Sequence, residues 1–78
     1  MATDQEDKQA IEEVLAQHYL GQFFKFDHLP PALAYVSETF AMTAAFVIKA
    51  VPSNAEQTTA LRKLLEAKDC AVRAVISK

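Results

Sequence analysis

The sequence predicts an all-α domain of three helices, the last two forming an antiparallel hairpin, with a middle helix too apolar to be satisfied within one chain. Three observations carry this. Apolar residues recur at three- and four-residue spacing in three blocks, the signature of helical faces. The single glycine and the three prolines fall between those blocks or at their ends. Finally, in FAMTAAFVIKAV, residues 40–51, Lys49 is the only ionisable side chain and Thr43 the only other polar one. A surface helix of a small domain is normally wet on one side.

The first helix is expected from about Asp4 to Gln22. Thr3 and Glu6 form a capping-box pattern, and Asp4, Glu6 and Asp7 suit the positive end of the helix dipole. Ile11, Val14, Leu15, His18 and Tyr19 make its apolar face, with His18 read as a packed histidine rather than a base. The connection GQFFKFDHLPP follows, with Gly21 as an expected C-cap. So many aromatics in a linker mean that it packs on something.

The middle helix should run from about Pro31 to Val51, its prolines being suited to a first turn. One apolar stripe comprises Leu33, Val36, Phe40, Ala44, Val47 and Val51. A second, pointing elsewhere, comprises Tyr35, Met42 and Phe46. A helix that is apolar nearly all round is buried on nearly all sides. Two neighbours in one short chain cover about half of it, so the second stripe predicts a homo-oligomer, the alternative being a monomer with an exposed patch.

Pro52 stops the middle helix, and Ser53 with Glu56 forms a second capping-box pattern. The last helix is expected from about Asn54 to Ser77, with Leu61, Leu64, Leu65, Val72, Val75 and Ile76 on its core face. Arg62 with Glu66, and Asp69 with Arg73, are opposite charges at helical spacing.

Composition sets the outer bounds. Seventy-eight residues make one domain, residues 1–78, and a chain this short has a marginal core of its own. One cysteine, Cys70, permits no intrachain disulfide, and His18, His28 and Cys70 match no zinc spacing. A reducing, cytoplasmic setting is therefore expected, with partner chains supplying the missing stability. No uncharged apolar run approaches the roughly 20 residues of a membrane helix, and the acidic N-terminus is unlike a signal peptide. A net charge of −2 argues against a binder of DNA or RNA polymers, which would carry a basic stripe. It leaves room for a small anion in a locally basic pocket.

No nucleophile–base–acid set stands out, so a non-catalytic protein without a cofactor is expected. Two clusters could bind an anion. The first is Phe24, Lys25, Phe26, His28 and Tyr35, where aromatics interleave with cations and could stack a base and meet its phosphate. The phenylalanines would otherwise plug the core. The second is Ser53, Asn54, Thr58, Thr59, Arg62 and Lys63, at the N-terminal turns of the last helix, where free N–H groups favour an anion. Its plain alternative is capping beside a solvated face.

Residues 52–76, PSNAEQTTALRKLLEAKDCAVRAVI, resemble the C-terminal signature of a family of small phage proteins: Pro-Ser, then Gln-Ser/Thr, then Ala-Leu-x-Lys-Leu-x-Glu-Ala, then a small-residue helix ending near Arg-Ala. Gln57, Thr58, Ala60, Leu61, Lys63 and Leu64 match it, as do Glu66, Ala67, Ala71, Arg73 and Ala74. FKFDHLPP resembles the aromatic-His-Pro element that precedes the family's middle helix. The family is the anti-CBASS cyclic-oligonucleotide sponges, and the likeness covers about the last fifty residues. It implies an all-α homohexamer that sequesters cyclic di- and trinucleotide immune signals between protomers, in the cytoplasm of an infected bacterium. Lys25, Phe26, His28 and Tyr35 would then serve a cyclic dinucleotide, and Thr58, Thr59 and Arg62 a larger ring. A sponge for another nucleotide signal, such as an ADP-ribose derivative, and an oligomeric phage adaptor with no nucleotide ligand are the alternatives.

Overall fold

The computed structural model describes the backbone of residues 4–77 and the side chains of residues 8–77. Among them lie α1 (Asp4–Leu15), a 3-10 helix (Tyr19–Phe24), α2 (Pro31–Ala50) and α3 (Ala55–Ser77), with no strand. The all-α class and the α2–α3 hairpin are as expected. α2 packs most extensively on α3, α1 lies on α2, and the 3-10 helix touches all three. The molecule is a slab measuring 36 × 32 × 17 Å, thin enough that several helices have one packed side only.

The first helix ends seven residues before its expected limit of Gln22. After Leu15 the N–H groups of Gln17 and His18 bond back only three residues, to Val14 and Leu15, tightening the chain out of the α-helix. His18 is extended and caps the 3-10 helix, its Nδ1 accepting the N–H of Leu20 at 3.1 Å. Gly21 is therefore not a C-cap but a close-approach residue inside the 3-10 helix. A Cβ placed there would stand 1.9 Å from the Leu15 carbonyl oxygen, so only glycine fits. The Thr3–Glu6 capping box lies outside the described side chains.

α2 begins at Pro31, whose missing N–H costs nothing at a first turn. It ends where Pro52 forces the preceding residue, Val51, into an extended conformation. Its inner face differs from the expected stripe. The buried residues are Ser37, Ala41, Ala44 and Ala45, whereas Leu33, Val36, Phe40 and Val47 are half-buried and Val51 is exposed. Small side chains there leave room for the bulk of the core, which arrives from elsewhere: Leu15, Leu20, Phe24, Phe26 and Leu61. Ser37 Oγ has no hydrogen-bond partner among the described residues, although the residue is 1% exposed.

The opposite face of α2 holds Tyr35, Met42 and Phe46 at 80%, 52% and 67% exposure, so the second stripe is unpartnered within the chain. By length and composition alone α2 could also cross a bilayer, a test that core helices of globular proteins pass as well.

α3 starts one residue after its expected start at Asn54, and its cap differs. The N–H of Gln57 donates to Asn54 Oδ1 at 3.0 Å, making Asn54 the capping residue instead of Ser53. Gln57, buried at this point, turns its amide away from the cap. Its Nε2 donates to the carbonyls of Ile48 (3.4 Å) and Val51 (3.2 Å), occupying acceptors that the end of α2 leaves free. Gln57 thus ties the hairpin shut. Beyond Leu65 the core face of α3 loosens, and Ile76 is exposed. The expected charge pairs on α3 are replaced by others. Lys68 pairs with Asp69 at 3.1 Å, and Arg73 donates to Cys70 Sγ.

Candidate functional site

The clearest polar assembly forms where the 3-10 helix meets the first turns of α3. His18 is fixed by its own capping bond: since Nδ1 accepts from Leu20, the neutral ring carries its hydrogen on Nε2 and donates to Thr58 Oγ1 at 3.2 Å. Tyr19 stacks on His18, with ring centroids 5.0 Å apart and planes inclined by 20°. Its hydroxyl accepts from Arg62 Nη2 at 3.3 Å. Tyr19 is 62% exposed and Arg62 is exposed as well. A flat ring, a guanidinium and a helix N-terminus therefore share one accessible rim. Such a set can meet a base and a phosphate together.

Thr58 and Arg62 were expected at such a site from sequence, and both are in it. Thr59 lies on the same turns, but its hydroxyl donates to the Ala55 carbonyl at 3.0 Å. His18 and Tyr19 were missed as site residues because the first helix was extended through them. A histidine two residues before a tight turn was the available signal, since its ring can cap that turn.

Lys25, Phe26, His28 and Tyr35 are not brought together. Phe26 is 2% exposed, and among the side chains over it is Lys8, whose Nζ stands 6.0 Å from the ring centroid. Burial takes both of its faces from any outside base, leaving Tyr35 as the exposed ring of the two. Tyr35 stands on the outer face of α2. Lys25 and His28 line a shallow depression of about 390 Å³, but Glu12 and Asp27 complete it. Those two carboxyls share a hydrogen bond. Asp27 as that partner, then burial, then its charge hold Glu12 above the usual glutamate range. The bond from Glu12 holds Asp27 below the usual aspartate range. A phosphate entering there would meet carboxylates beside the cations. Lys25 also borders a larger cleft of about 590 Å³ lined by Glu12, Glu13, His18 and Tyr19, so this cleft opens toward the α3 rim.

Cys70 is exposed on α3, beside Arg73. Among the described residues no group of three or more His, Cys, Asp or Glu side chains is placed to hold a metal ion. Compared with known proteins, the chain matches no family model, no curated protein and no solved structure.

Proposed function

We propose that this chain is a non-catalytic, phage-encoded sponge that binds cyclic di- and trinucleotide immune signals and withholds them from their receptors. It acts as a homo-oligomer, a hexamer by the family resemblance, in the cytoplasm of the infected bacterium. The observation that supports this best is the rim of Tyr19, Arg62 and Thr58 at the start of α3, with an exposed ring beside an exposed guanidinium. Cyclic oligonucleotides present flat bases at a short, fixed distance from phosphates. A planar, permanently charged guanidinium suits a phosphate better than an ammonium does, and an aromatic face accepts any base. The bond from Arg62 to the tyrosine hydroxyl is exposed and long, so exchanging it for a charge-assisted bond to phosphate is favourable.

The α3 rim is preferred over the depression of Lys25 and His28, where Glu12 and Asp27 oppose an anion. Tyr35 joins a site only if another copy carries it there, which agrees with ligands held between protomers.

Titration calorimetry on Arg62→Ala and Tyr19→Ala tests the assignment. Losing one charge-assisted phosphate contact should cost about 1.5–3 kcal/mol, roughly ten- to a hundredfold in affinity. Light scattering should show the assembly unchanged. Unaltered binding of every cyclic oligonucleotide by Arg62→Ala would remove this rim from consideration.

A further inference from the structure

The outer face of α2 has a chemistry that selects its occupant. Tyr35, Met42 and Phe46 lie along its centre line, exposed by half or more. At about 100° per residue, Glu38 and Lys49 both fall on the same edge of that line, eleven residues and so three turns apart. Neither has an ion-pair partner among the described residues. Toward the other edge are the uncharged Thr39 and Thr43, the latter bonded back to the Thr39 carbonyl at 3.0 Å. One edge therefore carries an acid near one end of the stripe and a base near the other.

We propose that this face binds the same face of a second copy, the two α2 helices running antiparallel across a two-fold axis. In an antiparallel pair, like edges meet, so an edge carrying Glu38 and Lys49 meets its own reverse. With the axis between Thr43 and Ala44, Glu38 lies opposite Lys49 of the second copy, and the pair occurs twice. In that register Met42 interleaves with Phe46 of the other chain. A parallel pair would instead set this edge against the opposite one, leaving Glu38 and Lys49 to face the uncharged Thr39 and Thr43. The apolar side chains provide the attraction, because each surface ion pair is weak. The charges set direction and register. A lipid surface would bury the same apolar stripe but would leave Glu38 and Lys49 without partners.

This pairing rests on the homo-oligomer part of the proposed function and gives it an axis. It also brings Tyr35 of one copy level with residues 52–54 of the other, just before α3.

Sedimentation velocity at low salt on wild-type protein, Glu38→Lys, Lys49→Glu and the double exchange decides the matter, with circular dichroism confirming that each variant keeps its helices. Each single exchange makes both symmetry-related contacts repulsive and should raise the dissociation constant about tenfold. The double exchange restores complementarity and should return it to the wild-type value. A double exchange no better than the singles, or singles that match wild type, overturns the pairing. If wild type remains oligomeric in that case, self-assembly stands and its interface lies elsewhere. Wild-type protein that stays monomeric and floats with neutral phosphatidylcholine vesicles overturns the pairing and assigns the face to lipid.

Discussion

His18 Nε2 stands 3.2 Å from Thr58 Oγ1, forty residues away in sequence, while its Nδ1 receives the N–H of Leu20. One imidazole thus caps the 3-10 helix and ties it to α3. Replacing His18 by alanine removes two part-buried bonds, each worth about 0.5–1.5 kcal/mol. Urea unfolding of His18→Ala should therefore show a loss of about 1–3 kcal/mol, and Thr58→Val a smaller one. Equal losses in both variants would mean that the cap on Leu20 contributes nothing.

Gln57 closes the hairpin through the Ile48 and Val51 carbonyls. Gln57→Ala removes two part-buried bonds and should cost about 0.5–1.5 kcal/mol for each that solvent does not replace. Amide exchange should quicken first at Val51, whose N–H bonds to Val47 in the last turn of α2. Unchanged stability would show that solvent satisfies those carbonyls equally well.

Ser37 offers a stabilising change. Its hydroxyl is buried without a partner among the described residues, a state that costs about 1–3 kcal/mol. Ser37→Ala removes the hydroxyl at little loss of volume. The melting temperature should rise by about 4–8 °C for each kcal/mol recovered. A fall would reveal a partner for that hydroxyl, such as a bound water.

The Glu12–Asp27 pair makes stability depend on pH in two opposite limbs. Glu12 is raised in the folded protein, so its contribution is present below its ordinary range and is lost as pH rises through the raised value. Asp27 is lowered, so its contribution is present above its ordinary range and is lost as pH falls through the lowered value. The pair is favourable between these limits, in moderate acid, where one proton is shared. At neutral pH two carboxylates face each other. Glu12→Gln supplies a permanent donor to Asp27. It should raise the melting temperature at pH 7 and make little difference in moderate acid. Asp27 is exposed and Glu12 only half-buried, so the effect is small and screened by salt. A gain confined to acid would contradict this account.

The helices on either side of the hairpin were legible because their ends are marked by covalent constraint. Pro31 and Pro52 fix the limits of α2 whatever the packing, and Pro52 also places the start of α3, although the cap there is Asn54 and not the expected Ser53. The end of α1 was not legible. Its apolar spacing continues through His18 and Tyr19, and Gly21 is needed only because the Leu15 carbonyl approaches it, a tertiary fact. The inner face of α2 was misplaced for a related reason. Periodicity weights large residues, whereas close packing put Ser37, Ala41, Ala44 and Ala45 inside, beneath the phenylalanines of the preceding segment. Thr58 and Arg62 could be grouped from sequence because a helix start constrains what surrounds it. Their companions His18 and Tyr19 arrive from the other end of the chain, through bonds that no local pattern encodes.

The central claim is sequestration without chemistry, and the recovery of ligand tests it most directly. Wild-type protein is incubated with a cyclic dinucleotide or a cyclic trinucleotide, the bound fraction is separated, the protein is denatured, and the released nucleotide is weighed by mass spectrometry. The account predicts saturable binding with complete return of the unaltered ring. A linear or otherwise modified product would make the protein an enzyme. Failure of every cyclic oligonucleotide to bind would contradict the sponge itself.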